Sequence, residues 1–508
     1  MMPKPYLRLL TALAAVLALS SCSAGNAAES SGPASAPVRG GELTVLRAAD
    51  VDSWDPDKAL MPSTFETLPQ VMEGLVRPSA DGATVVPGLA QKWVFDAGHR
   101  TLTFTLRPNL RFSNGATLTS ADVAFSVKLW QQSVSYGTLY SAIQSASTPN
   151  ATTVVLKLHR PSTFLLSWLG NGTAVVVPKG FGGKSRADFF RKPIGAGPFV
   201  IDSYTPGQTL RLARNSHYYG EGRPYLDAIT YKVVSDPNQQ LLQYQSGQAD
   251  MLESVPLDVS AQLPAADRHL VKPSSTIHAA FVNTTKGPGT DLHFRRAISY
   301  AIDRDSYIKS VFSGLATPAK GGLPIGVQGS SACDCTYRYD QAAAKAELSR
   351  SGYDGSPVVL LVDASSPIST RGGEVAAQML RAVGIKVDLQ PEEGQVMFDR
   401  YSKGDYGIEL AEVASVSPSV GDIFGLVSYM VTGSDPGKVI SGAFDKLDVA
   451  RTEPERQHAT KLAENWIGEH LPYVPIAYPD RVLAAAPKLH GLQVTPYLNY
   501  PADQLWIG

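Results

Sequence analysis

The second half of the chain alternates between helical and strand-like hydrophobic patterns, and this alternation restricts the fold more than any other feature. Apolar residues recur on one helical face in Phe294–Ile302 and again in Val375–Val383. Strand-like apolar runs flank the second helix at Val358–Val362 and Ile385–Leu389, with a turn at Gly384. Helices between strands, joined by short glycine turns, are typical of α/β units. The sequence therefore predicts an α/β protein.

The first half contributes strands, a turn and one clear helix start. Gly41–Leu46 and Leu102–Leu106 alternate as half-buried strands do, and Asn114-Gly115 has the chemistry of a tight turn. Thr119–Asp122 places an acid three residues after a capping threonine, which predicts the start of a helix over Val123–Trp130. With 508 residues, 44% of them hydrophobic, the chain can bury one large core or two.

The first forty residues have the layout of a bacterial secretion signal. Two basic residues precede an apolar run, Leu9–Leu19, that is too short to span a bilayer in a mature protein. The run ends in Leu-Ser-Ser-Cys22, which resembles the lipobox of bacterial lipoproteins, where the cysteine is lipidated and becomes the first residue. An ordinary signal peptide with a coincidental cysteine is the alternative. We expect a lipoprotein signal peptide at 1–21 and a flexible spacer, rich in small residues, at 22–40.

These features predict where the protein works and exclude some partners. We expect an extracytoplasmic protein, anchored to the cell membrane by the lipid on Cys22. The net charge of −1 becomes −3 once the two basic residues of 1–21 are removed, which provides no electrostatic footprint for nucleic acid. No later segment is apolar over the length that a membrane span needs.

The other two cysteines, Cys333 and Cys335, are separated by one residue. An even pair in an oxidising compartment favours a local disulfide, although so short a loop would be strained. Free thiols and a metal site are the alternatives. The metal site is the least favoured, because no further ligands stand out nearby.

No motif for catalysis or cofactor binding emerges from the sequence. The chain contains neither Gly-x-Ser-x-Gly nor His-Glu-x-x-His, and its 9 histidines are scattered. Gly183-Lys184-Ser185 is similar to the end of a phosphate loop, but Pro178 occupies the position of the upstream glycine, so a surface turn is the better interpretation. We therefore predict a protein that is not an enzyme and holds no cofactor. A hydrolase whose triad assembles only in space is the alternative.

Several short segments, in a fixed order over residues 40–355, carry a resemblance to a known family. They are Gly40–Val45, Asp52–Pro56, Leu89–Trp93, Leu102–Arg107, Phe112–Gly115, Ala121–Phe125, Gly195–Phe199, Gln245–Asp250, Arg295–Arg304 and Tyr339–Tyr353. Together they resemble the peptide/nickel-type (family 5) extracellular substrate-binding proteins of bacterial ABC transporters, in lipoprotein form.

The resemblance implies a two-lobed α/β fold like that of the type II periplasmic binding proteins, in their large-protein cluster, with a hinge and an inserted subdomain. Mapped by motif, lobe I covers 41–70, 190–277 and 480–508, the inserted subdomain covers 71–189, and lobe II covers 278–479. The resemblance also implies a monomer that closes on a small ligand, most often a di- or oligopeptide, and delivers it to an ABC permease. A sensor or scaffold on the same fold is an alternative, as is a receptor for a siderophore-like molecule, a saccharide or a metal chelate.

The resemblance also suggests ligand-binding residues. Arg371 precedes the Val375–Val383 helix, where dipeptide-binding relatives place an arginine for the ligand carboxylate; a solvated arginine at a helix start is the alternative. Asn283 ends a strand near the expected hinge and is a second candidate for the cleft. The family's Gly-Trp pair and the Asp-Pro pair that follows it are missing from Tyr406–Phe424, so Asp422, or alternatively Glu412, is expected to replace the acid that binds the ligand amine.

Overall fold

Helices and strands alternate along the chain as the hydrophobic pattern predicts. The computed structural model describes residues 36–59, 61–79, 84–257, 259–272, 274–325, 336–415, 438–493, 495–496 and 500–508. Its α-helices are α1 (Pro62–Val71), α2 (Ser120–Gln132), α3 (Phe164–Trp168), α4 (Arg186–Arg191), α5 (Pro237–Gln245), α6 (Leu292–Ala301), α7 (Arg304–Val311), α8 (Gln341–Arg350), α9 (Pro367–Ala382), α10 (Gly394–Lys403), α11 (Val439–Val449) and α12 (Glu453–His470).

The strands pair into three larger sheets and two small ribbons. In chain order they are β1 (Glu42–Arg47), β2 (Val76–Pro78), β3 (Val85–Pro87), β4 (Ala90–Phe95), β5 (Thr101–Leu106), β6 (Ile143–Asn150), β7 (Thr153–Leu158), β8 (Phe199–Thr205), β9 (Thr209–Arg214), β10 (Ala228–Val233), β11 (Met251–Leu252), β12 (Arg268–Val271), β13 (Thr276–Val282), β14 (Ala316–Pro318), β15 (Val358–Asp363), β16 (Val387–Glu392), β17 (Ile408–Ala414), β18 (Tyr473–Pro479), β19 (Arg481–Ala485), β20 (Leu489–His490) and β21 (Trp506–Ile507). No helix within these described ranges combines the length and the apolar character needed to cross a bilayer.

Local signals explain where several elements begin and end. Thr119 and Asp122 form a reciprocal capping box at the start of α2, as predicted. The strand predicted from Ile385 begins two residues later, at Val387. The reason is that the Ile385 N–H donates to the Leu380 carbonyl and thereby completes the C-terminal cap of α9.

The first sheet has seven strands in the order β12-β19-β11-β1-β10-β9-β8. Its central strands are parallel, since β1 runs parallel to both of its neighbours, β10 and β11. Leu43 and Val45 of β1 are buried in one core, and Leu46 is buried in another. Burial on both faces is the environment that a parallel sheet requires.

The second sheet has six strands in the order β14-β18-β13-β17-β15-β16. β15 is parallel to its neighbours β16 and β17, whereas β13 is antiparallel to β17 and β18. The predicted helical face of α6 packs here, with Phe294 and Ile298 buried among the residues of this sheet. Residues 38–508 form one compact unit that contains both sheets.

The chain passes directly between the two sheets at two adjacent places. One passage joins β12 to β13, and the other joins β18 to β19 through Asp480. The passages are linked, because the Ser274 hydroxyl donates to the Pro479 carbonyl and Lys272 Nζ lies 3.1 Å from Asp480 Oδ2. Two short, adjacent connections of this kind are suited to act as a hinge.

The third sheet is antiparallel, in the order β4-β5-β7-β6, and lies between β1 and β8 in the sequence. Leu102 and Phe104 of β5 point into its core, where Val123 and Val127 of α2 cover them. Asp448 of α11 is fully buried and accepts a 2.6 Å hydrogen bond from Ser162. This bond links the segment between β7 and α3 to α11.

Candidate ligand-binding site

A cavity of about 560 Å³ lies between the first and second sheets, beside the two passages of the chain. We call it the inter-sheet cleft. Residues of both sheets and of both passages line it, so any motion about the passages would change its width. It is therefore placed where a ligand could hold the two sheets together.

The cleft lies at the carboxyl ends of parallel strands. Ala48 follows β1, Ser235 follows β10 and Ser254 follows β11, and all three line the cavity. On the opposite wall, Ser365 follows β15, which is parallel to β17. Loops at the carboxyl ends of parallel strands form the crevice in which open α/β sheets bind ligands.

Three helices begin at the same cavity. Pro62, Pro237 and Pro367 are the first residues of α1, α5 and α9, and each lines the cleft. Proline fits a first helical position because its missing N–H would have no intrahelical partner there. Helix N-termini carry partial positive charge, so the cleft offers favourable positions for an anionic group.

Glu412 lies in the cleft at the end of a chain of polar side chains. It is on β17 opposite His278 of β13, and His278 Nδ1 lies 3.4 Å from Glu412 Oε1, within ion-pair range but without hydrogen-bond geometry. His278 Nε2 is 2.8 Å from the hydroxyl of Tyr307, and both of these side chains are buried. The Glu412 side chain is 44% exposed, so its carboxylate remains accessible to a ligand.

Arg371 lies one turn beyond the cleft wall in α9. Pro367 and Ile368 line the cavity, whereas Arg371 is exposed and is not among the lining residues. The next residue, Gly372, allows α9 to pack closely against Tyr307, because a Cβ at this position would overlap the Tyr307 hydroxyl. Arg371 is therefore held on a helix that packs directly on the polar chain ending at Glu412.

Asn283 is placed away from the cleft. It follows the far end of β13, is buried, and does not line the cavity. Its amide nitrogen donates to the carbonyls of Gly404 and Tyr406, and its oxygen accepts from the Thr285 N–H. Asn283 thus has a structural role, because its side chain links the end of β13 to the loop before β17.

The remaining charges of the cleft wall are paired. Arg481 is the one Lys, Arg or His among the described lining residues, and its guanidinium lies 2.7 Å from Glu66 Oε1. From residue 36 onward, every Lys, Arg and His of the sequence falls within the described ranges. Burial raises the pKa of Asp480, and Lys272 opposes that shift. Glu412 is thus the cleft's most accessible acid in the described chain.

Several predicted residues lie outside the described residues. They are Asp422 and the three cysteines, Cys22, Cys333 and Cys335. In the described part of the chain, no three His, Cys, Asp or Glu side chains are grouped as a metal site would require.

His278 and Tyr307 were missed by sequence reasoning. Only the register of β13 with β17 places His278 opposite Glu412, and only the packing of α7 brings Tyr307 to the imidazole. The available signal was a histidine inside an otherwise apolar strand, since such a residue needs a polar partner once it is buried.

Two sheets joined at adjacent passages, with a cavity between them, define a two-lobed binding protein. The chain matches the family described as bacterial extracellular solute-binding proteins, family 5 Middle, over residues 84–433, and it belongs to this family. The family membership expected from the sequence is thereby confirmed.

Individual relatives are similar over nearly the whole chain. Identity is 24% over 483 residues with the probable D,D-dipeptide-binding periplasmic protein DdpA of Escherichia coli (strain K12), covering 90% of this chain and 92% of that one. NikA from Brucella suis in complex with Fe(III)-EDTA superposes with a TM-score of 0.83 at 23% identity, covering 92% and 100%. The periplasmic binding protein DppA from Helicobacter pylori in complex with the peptide STSA gives 0.80 at 21% identity, covering 92% and 98%. The solved structures establish the two-lobed α/β fold.

Proposed function

We propose that this solute-binding protein is a lipid-anchored receptor that captures a short peptide with free termini and delivers it to an ABC importer. The observation that carries the proposal is the polarity of the inter-sheet cleft. One wall presents the accessible carboxylate of Glu412, and three helices begin at the cavity with their positive ends. A zwitterionic ligand has groups for both. Two similar proteins support the same ligand class, since DdpA is named as a probable D,D-dipeptide-binding protein and DppA was solved with the peptide STSA.

The lobes follow the three sheets in this proposal. Lobe I comprises 41–70, 190–277 and 480–508, the inserted subdomain comprises 71–189, and lobe II comprises 278–479. A ligand that touches both walls of the cleft binds the closed form more tightly than the open one and shifts the population towards closure. The permease would then recognise the closed form.

Glu412 is the proposed partner of the ligand ammonium. The Tyr307 hydroxyl holds the His278 ring, which lies 3.4 Å from the carboxylate, so the strand position beside Glu412 is fixed while the acid itself stays accessible. Asp422 is the alternative anchor. An acid is needed because an ammonium buried without a partner is strongly unfavourable.

Arg371, together with the N-terminus of α9, is the proposed partner of the ligand carboxylate. Arginine binds carboxylates through two parallel N–H donors. Arg371 lies on the same helix as the cleft residues Pro367 and Ile368. Closure of the lobes would bring this end of the cleft closer to the ligand.

Lipidation of Cys22 would keep the receptor near its permease. A flexible spacer at 22–40 then provides a high effective concentration and leaves the lobes free to move. Cys22→Ala should move the protein from the membrane fraction to the soluble fraction, and persistence in the membrane would disprove the anchor. In the same oxidising compartment, Cys333 and Cys335 would form a local disulfide. We further propose that the receptor works as a monomer and catalyses no reaction.

Thermal unfolding with matched peptide pools tests the ligand class. Pools of free di- to tetrapeptides should raise the melting temperature, because a ligand that binds only the folded state stabilises it by mass action. The same pools with acetylated amino ends should give a much smaller shift. The absence of a shift with any free peptide pool would rule out peptides as the ligand, and equal shifts with both pools would rule out an amine anchor.

A further inference from the structure

His278 is a polar residue on an apolar face of the second sheet. Its neighbours on the same face of β13, Ala280 and Val282, are buried in the core that the sheet covers. The histidine is itself only 1% exposed, and Phe312 packs edge-on against the imidazole with 5.2 Å between the ring centroids. A polar ring enclosed in this way is unfavourable unless its nitrogen atoms find partners.

The Nε2 atom of His278 has such a partner in the Tyr307 hydroxyl, 2.8 Å away. Within the described chain, this nitrogen is the one hydrogen-bond partner of that hydroxyl. Burial, and to a lesser extent the charge of Glu412, raises the pKa of Tyr307 well above its ordinary value, so the hydroxyl keeps its hydrogen. A buried hydroxyl donates to the acceptor within its reach, and Nε2 is therefore the acceptor in this bond.

The second ring nitrogen of His278 faces the acid of the cleft. Because Nε2 accepts, the hydrogen of the neutral imidazole is on Nδ1. Nδ1 is buried and makes no hydrogen bond in the described chain, and Glu412 Oε1 lies 3.4 Å from it. A small movement of the Glu412 side chain, which is 44% exposed, would complete a hydrogen bond from Nδ1–H and leave the second carboxylate oxygen for a ligand.

Two ionisable groups face this histidine, Glu412 from β17 and Tyr307 from α7. The other ionisable side chains of the elements packed around the ring are in the core on the opposite face of the sheet, bonded to a backbone carbonyl, or at the surface. They are Glu409 of β17, Tyr473 and Tyr478 of β18, Arg304, Asp305 and Lys309 of α7, and Arg371, Glu374 and Arg381 of α9. Residues 416–437, outside the described ranges, contain two acids, Asp422 and Asp435, and no base. A charge on the imidazole therefore acts chiefly on Glu412.

We infer that His278 is a positioning residue that sets which ligands the cleft accepts. The neutral ring orients Glu412 for a ligand ammonium, whereas the protonated ring pairs with Glu412 in place of that ammonium. Histidine is the side chain that changes its charge in the physiological pH range, so acidification removes the preference of the cleft for a free amine. This inference rests on the proposed function, since it takes Glu412 as the ammonium partner. Proton binding and ammonium binding then weaken each other to the same extent.

The test uses the free and the N-acetylated pools of di- to tetrapeptides on the full chain. Their effect on the melting temperature is titrated at about pH 7 and about pH 5.5, because over this range ordinary carboxylates remain ionised and most peptide amino groups remain protonated. The concentration of the free pool that gives a set shift should be about fivefold or more higher at the lower pH, a typical coupling between two binding events. The acetylated pool should show no such change.

Two variants separate the proton from the hydrogen bond. In His278→Asn the amide nitrogen reaches approximately the position of Nδ1 but carries no titrating charge, so this variant should bind the free pool at neutral pH and lose the pH dependence. Tyr307→Phe removes the hydroxyl that fixes the ring, so the hydrogen of the imidazole can move to Nε2. Tyr307→Phe should therefore require about fivefold more of the free pool at neutral pH, the loss of one hydrogen bond, and keep the pH dependence.

His293→Asn is the matched control, because His293 also pairs with a glutamate, Glu347, at 2.7 Å but lies outside the cleft lining. It should change neither the affinity nor its pH dependence. A free pool that binds the original protein equally at both pH values would overturn the inference alone, and this outcome needs no variant to fold. A pH dependence that persists in His278→Asn, or unchanged binding at neutral pH in Tyr307→Phe, would also overturn it. If neither pool binds at either pH, the proposed function fails together with the inference.

Discussion

The inter-sheet cleft differs in how its charges are held from a second cavity of about 280 Å³, called the α1 cavity, which is lined by Glu66 and Gln70 of α1. Glu412 in the cleft is accessible and has only a long contact with His278. Around the α1 cavity, Asp503 and Glu66 are buried and each is paired with arginine. Paired charges fix a wall, because removing either partner leaves the other buried and alone. An exposed carboxylate with only a long contact to a basic group is available to a ligand, and among the described residues lining the cleft Glu412 is the acid of this kind.

The largest predicted effect concerns the buried ion pair between Arg47 and Glu253. Arg47 lies over the Tyr231 ring, 3.7 Å from its centroid, and pairs with Glu253 at 3.1 Å, with both side chains buried. Arg47→Met should lower the free energy of unfolding by about 3–5 kcal/mol, because Glu253 would keep a buried, uncompensated charge. Urea denaturation measures this loss.

The matched control for Arg47→Met is an arginine in a surface pair. Arg211 pairs with Glu42 and Asp202 on the exposed side of the first sheet. Arg211→Met should cost no more than about 1 kcal/mol. Equal losses in the two variants would show that the buried pair contributes no more to stability than the surface pair does.

The next effect in size is the pH dependence that Glu73 introduces. Its pKa of about 7 in the folded state is above the ordinary glutamate value, so the proton is bound more tightly by the folded protein. Its stabilising contribution is therefore complete below about pH 4.5 and is lost as the pH rises through about 7. Glu73→Gln should remove this loss and gain about 1–3 kcal/mol over the original protein between about pH 5 and pH 8. If the free energy of unfolding changed with pH to the same extent in Glu73→Gln and in the original protein, the prediction would be contradicted.

The sequence predicted the elements better than their mutual placement. The helix after Thr119, the strand around Leu360 and the amphipathic face of α6 each follow from local capping or periodicity, which act within a few residues. Family motifs then supplied the two-lobed fold, which the comparisons confirm. Periodicity alone would not have arranged the sheets, because strand order depends on contacts between distant segments.

The site could be predicted only in part, for the same reason. Glu412 was identified because it interrupts an expected motif, which is a property of the sequence. Its neighbour His278 lies far away in the chain and is brought close by antiparallel pairing. The burial of Glu73, whose Oε1 accepts a hydrogen bond from the distant Tyr219, likewise follows from tertiary packing alone. Asn283 shows the converse, since a strand end near the hinge is used for backbone bonds to Gly404.

A smaller effect than those on stability is expected for the cleft acid. Glu412→Gln should weaken a peptide with a free amino end by about 10- to 100-fold, which is the loss of one hydrogen bond to a charged group. The same variant should bind the N-acetylated peptide almost as well as the original protein does. Calorimetry with the two peptides checks this, and an equal loss for both would place the ammonium elsewhere, for example at Asp422.

The smallest effect is expected for Arg371, because its guanidinium is exposed and solvent screens its charge before closure. Arg371→Ala should weaken peptides with a free carboxyl end by about tenfold and should leave C-terminally amidated peptides unaffected. Glu374, exposed one turn further along α9, provides the control, since Glu374→Ala should change neither peptide. If Arg371→Ala also changes neither, the carboxylate must rely on the N-termini of α1, α5 and α9 alone. The cleft would then select its ligand through backbone dipoles and a single acid, in contrast to the α1 cavity with its arginine-paired wall.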